Sequence, residues 1–471
     1  MSTLIMKFGG TSVGSAEAIS RVVAITRDAK RTWNNVVIVA SAMSGVTNLL
    51  LDGAMQAKRG DAAYHVSRQA LREKHANVAK ALLPNRARRA QVLQEIDHLI
   101  THYTSLCQAI QILGEATPRA LDAVASLGER MSVRLIAAAL EVAPNVQAQF
   151  VEASHLIVTD DHFQDAHPNL KATRANALEM LTPLFQQNIV PVVTGFMGAT
   201  ADGIITTLGR GGSDYSAAIL GAALDANEVW IWTDVDGVMS ADPRIVPDAA
   251  TISTLTYREV AELAYFGAKV LHPKTIRPVV ERGIGLRVCN TFNPDHPGTR
   301  IISNGEASMQ AGGRLKAVTA IRGQKLVTVE GRGMLGVPGV AARAFGAVAE
   351  TGTSVILITQ ASSEQSICFA VPATAADTVI AAMERSFAAE LNRRDIDKVW
   401  ATDEIVIITV VGGGLQYTPG IAGRVFSVLG DATLNVIAIA QGSSEAAISL
   451  VVDAADTEQA VRVLHQLIVE V

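Results

Sequence analysis

The feature that most constrains the fold of this chain is an internal repeat in its last third. The segment starting at Val329 aligns without a gap to the segment starting at Val410, with 17 identities over 44 positions. The offset is 81 residues, and Ser-Ser-Glu recurs at 362–364 and 443–445. Only two copies of so long a unit occur, which excludes a solenoid array. The chain therefore carries two related modules, whose paired positions include Gly331/Gly412, Pro338/Pro419, Arg343/Arg424 and Gln360/Gln441.

Each copy of the repeat has the pattern strand, glycine loop, helix, strand, tight turn, strand, helix. The second copy reaches its final helix at Val471, with no room for a closing strand. The strand-like segment LKAVTAIR (315–322) precedes the first copy. We predict that this segment completes the sheet of the second copy.

The segment SNGEASMQAGG (303–313) is small, polar and rich in glycine, and it has no periodicity, which is typical of a linker. The predicted boundaries are a first domain over 1–303, a linker over 304–313, the completing strand over 314–324, a first module over 325–402 and a second over 403–471.

The first 300 residues alternate strand-like and helical stretches. NVVIVASA (35–42), IVPVVTGF (189–196) and EVWIWTDV (228–235) are apolar runs rich in valine and isoleucine, and residues 66–140 read as largely helical. Such runs between helices predict an α/β domain with a mostly parallel sheet covered on both faces.

Composition narrows the functional class. A chain of 471 residues is too long for one core, and its net charge of −5 gives no global attraction for nucleic acid or acidic membranes. The three cysteines are far apart, which predicts no disulfide framework or zinc site and a reducing cytoplasm. No apolar run approaches the roughly 20 residues of a membrane span, and the N-terminus does not read as a signal peptide.

The opening loop, MKFGGTSVGS (6–15), has three interpretations. Gly10–Gly14 matches the G-x-S-x-G nucleophile elbow of hydrolases, but such an elbow follows a central strand, whereas this loop follows the first one. Glycines and a following helix N-terminus also suit a phosphate, with Lys7 adding a full charge. An ordinary tight turn with a solvated lysine is the third interpretation.

Three further loops carry polar residues. TTLGRGGSDYSAA (206–218) holds Arg210, able to grip a carboxylate, and Asp214, equally suited to be a helix N-cap. WTDVDGVMSADPR (232–244) has three aspartates and Arg244, which make it a candidate part of a functional site. The alternative interpretation is an ordinary surface loop rich in turns. YFGAKVLHP (265–273) carries Lys269, weak evidence alone because helical lysines are usually solvated.

Two other patterns are discounted. GRGMLG (331–336) fits G-x-G-x-x-G, but it has no dinucleotide-binding context, and its repeat copy has Tyr417 at the third glycine. His98 and His102 lie four apart on a helix, where a solvated face is the more common arrangement than a metal pair.

Taken together, the loops resemble those of aspartate kinases. KFGGTS, SAMSGVTN, LGERMS, TTLGRGGSDYSAA, WTDVDGV, DPR and ELAYFGAKVLHPKT occur in that family's order and spacing, and the match runs from residue 6 to the C-terminus. The resemblance implies an amino acid kinase fold followed by two βαββαβ ACT modules. In that family the second ACT module borrows a strand from before the first.

The resemblance implies phosphorylation of the L-aspartate side-chain carboxylate by ATP with Mg²⁺, with magnesium held largely by phosphates and water. The product is 4-phospho-L-aspartate, which feeds lysine, methionine and threonine synthesis. The carboxylate attacks already ionised, so positioning and charge neutralisation do most of the work.

Site residues also follow from the resemblance. The catalytic positions are Lys7 and Asp214, with Gly9 and Gly10 donating N–H groups to the phosphoryl group. Arg210 matches the clamp on the α-carboxylate, and Glu129 matches the acceptor of the α-ammonium. The other substrate positions are Ser41, Thr47, Phe196, Gly212 and Ser213. The ATP positions are Lys7, Thr233, Asp234, Met239, Arg244, Lys269 and Val270. The family often has a tyrosine where this chain has Met239. Because methionine has no hydroxyl, we expect altered nucleotide contacts at this position.

The resemblance places an amino-acid effector between ACT modules. Lysine-inhibited relatives have an acidic residue where this chain has Ile356, which offers an ammonium no partner. Gln360 and Gln441 suit a small polar amino acid, so L-threonine is the expected effector. The other effector positions are Met334, Pro338, Gly339 and Val340. A homodimer through the ACT modules, or a tetramer, is expected, and no homoserine dehydrogenase part follows Val471, which suggests a monofunctional enzyme.

Two alternatives stay open. One is another acyl-phosphate kinase of the same fold, such as an acetylglutamate or glutamate kinase. The other is an inactive amino-acid sensor that keeps the ACT pair, against which the intact Lys7, Arg210, Asp214 and Lys269 argue.

Overall fold

The structure is a computed structural model, and it describes residues 2–268, 271, 273–303, 314–334, 339–360, 365–441 and 446–469. The chain divides into two compact units. The first comprises Met1–Val238, Thr251–Tyr257 and Leu271–Ser303, and the second comprises Met239–Ala250, Arg258–Val270 and Asn304–Val471.

The first 302 residues combine strands with helices, and five helices follow one another over 46–142, where the sequence predicts a largely helical stretch at 66–140. The strands and helices are β1 (Thr3–Phe8), α1 (Ala16–Ala29), β2 (Asn35–Ala40), α2 (Val46–Lys58), α3 (Tyr64–Leu82), α4 (Arg86–Leu113), α5 (Pro118–Ala125), α6 (Leu127–Val142), β3 (Gln147–Val151), β4 (Val158–Thr159), α7 (Leu170–Gln186), β5 (Ile189–Thr194), β6 (Met197–Thr200), β7 (Ile205–Thr207), α8 (Gly212–Ala223), β8 (Glu228–Thr233), β9 (Thr254–Thr256), α9 (Tyr257–Tyr265), α10 (Pro273–Val280), β10 (Gly285–Asn290) and β11 (Thr299–Ile302).

An eight-stranded sheet forms the centre of the first unit, in the order β3-β5-β2-β1-β8-β10-β11-β9. Among the described strands of this sheet, β10 and β11 are the one antiparallel pair. Alternate residues of β1 point to opposite faces. Leu4, Met6 and Phe8 join a core cluster with helices α1, α2, α3, α4 and α6, and Ile5 lies towards Gly221 of α8. The predicted mostly parallel sheet between helix layers is confirmed.

The second unit contains both copies of the repeat. Its elements from residue 315 are β12 (Leu315–Glu330), α11 (Val340–Glu350), β13 (Leu357–Gln360), β14 (Ser366–Pro372), α12 (Ala376–Ser386), α13 (Ala388–Arg393), β15 (Lys398–Ala401), β16 (Ile405–Gly412), α14 (Ile421–Asp431), β17 (Ala438–Ala440), β18 (Ala447–Asp453) and α15 (Thr457–Val469).

The long strand β12 joins the two modules into one seven-stranded sheet, in the order β13-β14-β12-β16-β18-β17 with β15 beside β12. Its first part, Leu315–Gln324, pairs with β16 of the second copy. Its second part, Gln324–Glu330, pairs with β14 of the first copy. Each module therefore has a full set of strands, and the predicted linker over 304–313 lies outside the described residues.

No helix in the described part of the chain is both long enough and apolar enough to cross a membrane.

Candidate active site

The site lies at one edge of the eight-stranded sheet. Strands β1, β2, β5 and β8 are mutually parallel, so their carboxyl ends meet at the same edge. This edge receives Lys7 from β1, Ser41 after β2, Phe196 after β5 and Thr233 at the end of β8. The strand that follows β1 in sequence lies on one side of it, while β8 lies on the other. Crevices outside the carboxyl ends at such a point are where open α/β sheets bind ligands.

A cavity of about 540 Å³ opens at this edge, entirely within the first unit. All seven predicted substrate positions line it, as do Lys7, Gly10 and Asp214, while Gly9 does not. The sequence motifs around residues 7, 41, 129, 196 and 210 are thus brought to one place. The predicted substrate positions in the lining are Ser41, Thr47, Glu129, Phe196, Arg210, Gly212 and Ser213.

Lys7 and Asp214 form the cavity's ion pair. The Lys7 Nζ atom lies 2.6 Å from Asp214 Oδ1, and both side chains are mostly shielded from solvent. Lys7 is the one residue of the otherwise buried β1 with intermediate exposure. Because an ammonium has three donors, Lys7 can hold Asp214 and still donate to an anion in the cavity.

The two glycines after β1 differ in how their amides are used. The Gly9 N–H donates to Trp232 O at 3.2 Å, continuing the contact between β1 and β8. The Gly10 N–H has no acceptor among the described residues. A side chain at Gly10 would put its Cβ 3.2 Å from Ala42 O. Of these two glycines, Gly10 therefore has the amide available to an anion, and Gly9 holds the loop to the sheet.

Two helices begin at the cavity without a side-chain cap. Gly45 precedes α2 and Gly211 precedes α8, both with left-handed backbone and no side-chain oxygen on the first amides. Four helices of the same unit are capped by side chains instead: those of Ser15, Asn85, Thr117 and Asn169. Uncapped amides at a helix N-terminus attract anions. The first amide of each helix is bonded within its own turn, Val46 N–H to Met43 O at 2.9 Å and Gly212 N–H to Gly209 O at 3.0 Å, so the amides that follow them are the ones left for an anion.

Glu129 brings a buried carboxylate to the cavity from the first turn of α6. Its side chain is buried, and Oε1 accepts the Ala42 N–H at 3.0 Å. Oε2 is also shielded from solvent and has no hydrogen-bond partner in the described structure. Burial raises the pKa of Glu129 to about 8. A cationic group that entered the cavity would find an acceptor there.

Arg210 and Phe196 also line the cavity. Arg210 is exposed and, within the described residues, has no carboxylate within 4 Å. Phe196 lines the cavity with φ at 68°, in the left-handed region that disfavours a bulky residue. The loop between β7 and α8 therefore supplies an unpaired guanidinium. The turn after β5 supplies an aromatic residue with a strained backbone.

The predicted nucleotide positions are divided. Thr233 ends β8, where its hydroxyl donates to the Asp234 carboxylate at 3.1 Å, and both belong to the first unit. Met239 and Arg244 belong to the second unit, where Arg244 pairs with Asp242 at 2.6 Å. Lys269 and Val270 lie outside the described residues.

The predicted effector positions lie in the second unit. Met334 is buried in the core of the first module, whereas Gly339 precedes α11 with φ at 89° and Val340 begins that helix. Ile356 donates its N–H to Ala370 O at 3.0 Å. Gln360 ends β13, Gln441 follows β17, and both are exposed. Pro338 and both Ser-Ser-Glu segments lie outside the described residues.

Sequence reasoning missed Asp122, Gln164 and Thr207. All three line the cavity. The Asp122 carboxylate is buried and accepts hydrogen bonds from both of the other residues. The only signal in the sequence is a carboxylate seven positions before Glu129, in an otherwise apolar helical stretch.

No group of three or more His, Cys, Asp or Glu side chains able to hold a metal occurs in the described ranges. Cys107, Cys289 and Cys368 are free thiols.

Comparison with known proteins assigns families to both units. Residues 2–290 match the amino acid kinase family, and residues 327–387 and 408–467 match the ACT domain. The bifunctional aspartokinase/homoserine dehydrogenase of Daucus carota is 38% identical over 98% of this chain. The chain spans about half the length of that relative and of the others of its kind. Aspartokinase 1 of Arabidopsis thaliana is 33% identical over 98% of this chain and 80% of its own length.

A solved structure agrees with these relatives. Aspartokinase III of E. coli, in complex with aspartate and ADP (R-state), superposes with a TM-score of 0.79 and 31% identity over 99% of this chain and 100% of that one. The same enzyme in complex with lysine and aspartate (T-state) gives a TM-score of 0.77 and 32% identity over 98% of this chain and 99% of that one. The order of the domains, the fold of each and the identity across nearly the whole length agree, and this chain belongs to the aspartokinase family.

Proposed function

We propose that this protein is an aspartate kinase, which transfers the γ-phosphoryl group of MgATP to the side-chain carboxylate of L-aspartate. The products are 4-phospho-L-aspartate and ADP. The observation that carries the proposal is one cavity that holds the Lys7–Asp214 pair, the unpaired Arg210 and the partnerless oxygen of Glu129. These groups match, one by one, the charges of the two substrates.

The amino-acid end of the cavity fits an α-amino acid. The planar guanidinium group of Arg210 is available to the α-carboxylate, because no described carboxylate pairs with it. Glu129 Oε2 would accept the α-ammonium, which supplies the partner that the buried oxygen lacks. An N-acetylated substrate has no ammonium to offer Glu129, so this arrangement favours a free amino acid over acetylglutamate.

The phosphoryl end of the cavity fits a transferring phosphate. The aspartate carboxylate attacks the γ-phosphorus, the bond to the β,γ-bridging oxygen breaks, and that oxygen leaves with ADP. Negative charge on the equatorial oxygens would be stabilised by Lys7 Nζ, the Gly10 N–H and the Ser213 and Asp214 N–H groups of the first turn of α8. Asp214, 2.6 Å from Nζ, would hold Lys7 in position.

Magnesium enters with the nucleotide. The cavity lining offers hydroxyls and isolated carboxylates rather than a cage of protein ligands, which suits an ion held by phosphates and water. Asp214 is the carboxylate beside Lys7 that could hold a water of that ion. The ion, when bound, neutralises charge on the phosphates.

Thr233 and Asp234 at the end of β8 are the nucleotide contacts that we propose in the first unit, whereas Met239, Arg244, Lys269 and Val270 stay predicted nucleotide positions. Arg244 would exchange its present Asp242 partner for a phosphate. Since Met239 lacks a hydroxyl, it would cover the nucleotide only by apolar contact.

L-Threonine is the proposed feedback inhibitor, bound by the ACT modules. Strands β13 and β17 carry equivalent parts of the two repeat copies and come within 8 Å of each other. Gln360 and Gln441 end these segments as neutral donors and acceptors. Ile356 is half-buried and packs against an apolar cluster, which gives a lysine ammonium no partner. E. coli aspartokinase III, by contrast, has been solved with lysine.

The reaction would stand first in a route towards lysine, methionine and threonine. A homodimer through the ACT modules, or a tetramer, is the proposed assembly. Three free thiols support a reducing compartment such as the cytoplasm.

The test is acyl-phosphate formation from L-aspartate with MgATP, trapped as the hydroxamate, with L-threonine or L-lysine added in parallel. We expect formation that threonine suppresses and lysine does not. Formation unaffected by threonine would refute the effector and keep the kinase. No formation from aspartate, but formation from glutamate or acetylglutamate, would move the enzyme to another acyl-phosphate kinase. Amino-acid binding without any phosphoryl transfer would identify a sensor.

A further inference from the structure

Asp122 is a buried carboxylate of the cavity that neither the reaction nor any matched motif uses. It lies in α5, and its residue is 1% exposed. Oδ1 accepts the Thr207 hydroxyl at 2.7 Å, and Oδ2 accepts the N–H groups of Thr207 at 2.9 Å and Gln164 at 3.0 Å. Both oxygens are thus occupied by the protein, unlike those of Glu129.

The partners of Asp122 belong to two separate segments. Thr207 is the last residue of β7, three positions before Arg210. Gln164 lies in the loop between β4 and α7 and has φ at 71°, which is unfavourable for a residue with a side chain. The Asp122 carboxylate therefore holds a strained loop and the strand that leads into the Arg210 loop at fixed positions.

The loop between β4 and α7, which contains Gln164, packs directly against the backbone before Arg210. The Ala166 N–H donates to Thr207 O at 3.0 Å. A Cβ on Gly209 would lie 2.6 Å from Asp165 Oδ1 and 3.0 Å from Gln164 O. Asp165 in turn pairs with Lys274. The backbone on both sides of Gly209 is therefore fixed by the segment that Asp122 ties down.

Arg210 has no side-chain anchor of its own. No described carboxylate lies within 4 Å of its guanidinium, and its side chain is exposed. The backbone is consequently the part of Arg210 that the protein positions, and the hydrogen bonds among Asp122, Thr207 and Gln164 hold the backbone next to it.

We propose that Asp122 is a positioning residue that fixes Arg210 for the α-carboxylate of the amino-acid substrate, an inference that rests on the proposed function. Asp122 does not touch the substrate. It acts through three hydrogen bonds on the loop that carries the clamp, and the consequence is selectivity for substrates with an α-carboxylate.

The substitution that tests this is Asp122→Asn, which keeps the volume but removes the charge and leaves a single acceptor oxygen where three donors converge. We expect KM for L-aspartate to rise about tenfold or more. KM for MgATP should change less than about twofold. β-Alanine keeps the ammonium and the accepting carboxylate but lacks the α-carboxylate, so its constant as a competitive inhibitor should also change less than about twofold.

Three variants make the result specific. Thr207→Val removes one of the three hydrogen bonds and should raise KM for aspartate by an intermediate factor; it also serves if Asp122→Asn does not fold. Asp161→Asn removes an exposed carboxylate of the same loop that makes no side-chain hydrogen bond in the described structure, and should leave all three constants unchanged. In an Arg210→Ala background, Asp122→Asn should raise KM for aspartate no further.

The inference is overturned if Asp122→Asn weakens aspartate, β-alanine and MgATP equally, which is the behaviour of general structural support. It is also overturned if aspartate KM does not change. A wild-type enzyme that forms no acyl phosphate from aspartate would overturn the proposed function and this inference with it, whereas an active wild type with an unaltered variant overturns the inference alone.

Discussion

Lys7 Nζ and Asp214 Oδ1 lie 2.6 Å apart in the cavity, with Lys7 near the end of the central strand β1 and Asp214 in the first turn of α8. The pair joins β1, which leads into the loop at Gly10, to the first turn of α8. A strand end fixes the lysine more firmly than a loop would, because both neighbours of β1 hold its backbone. The ammonium is therefore held where charge would develop during phosphoryl transfer.

Lys7→Ala should lower kcat by about 10²-fold or more, because it removes a preorganised cation from the transition state. KM for aspartate should change little. The hydroxamate assay gives both constants, and thermal melting checks the fold. Asp214→Asn should lower kcat by a smaller factor, since Lys7 would remain charged but lose its anchor. A Lys7→Ala enzyme with nearly normal kcat would exclude the assigned role.

The raised pKa of the Glu129 carboxyl group predicts that aspartate binding depends on pH. Its pKa is raised to about 8 because the side chain is buried, so the carboxyl group is largely neutral at pH 7 without substrate. An ammonium binds the ionised form better. KM for aspartate should therefore fall as pH rises from 6.5 to 8.5, approaching tenfold per pH unit at the acidic end. Glu129→Gln should bind aspartate weakly at every pH, without this slope.

The same shift has the opposite consequence for stability. The folded state binds a proton at Glu129 up to about pH 8, whereas the unfolded carboxyl ionises near its ordinary value of 4.5. Between these values the folded state holds more protons, so this group makes stability fall as pH rises. Glu129→Gln should therefore raise the melting temperature of the substrate-free enzyme at pH 8 more than at pH 5. A melting temperature lowered equally at both would contradict the burial effect.

Gly212 and Phe196 test how closely the cavity is packed. A Cβ on Gly212 would lie 2.7 Å from Phe196 Cδ2 and 3.2 Å from its Cα, so the strained Phe196 backbone would have to move. Gly212→Ala should cost about 1–3 kcal/mol in stability and raise KM for aspartate. Calorimetry and steady-state kinetics measure the two effects. Gly423→Ala is the matched control, because the Cβ meets open space in a helix and alanine is favoured there.

Much of this site follows from sequence, for an identifiable reason. Lys7 lies near the end of a strand, Glu129 in the first turn of a helix and Arg210 in a loop before a helix, and parallel strands bring such ends to one edge. The strand at 315–322 was predictable because the second repeat copy is one strand short.

Other features depend on tertiary contacts that no local pattern reveals. The Gly9 amide is occupied only because β8 lies beside β1. Asp122 has the sequence appearance of a solvated helical carboxylate, and its burial results from β7 and the loop at Gln164 packing over it. Composition and spacing cannot distinguish a buried acceptor of three hydrogen bonds from an exposed side chain.

The two copies of the repeat differ at one paired arginine, which gives a prediction with an internal control. Arg343 donates to Glu390 at 2.6 Å and to Ser386 O, and lies over the Phe387 ring at 4.6 Å. These contacts join α11 to the α12–α13 region. Arg424 is the equivalent residue of the second copy, and the described residues contain no ion-pair partner for it. The repeat offset places Val471 at the position of Glu390.

Arg343→Ala should therefore lower the melting temperature by a few degrees, and Arg424→Ala should lower it by much less. The Arg343 hydrogen bonds hold the pKa of Glu390 at about 2, so this stabilisation is fully present above the ordinary glutamate pKa. It is lost as pH falls towards 2, and the difference between wild type and Arg343→Ala should shrink over that interval. Scanning calorimetry of both variants at several pH values measures it. Equal destabilisation by the two substitutions would show that the Glu390 contact contributes nothing beyond the packing that both arginines share.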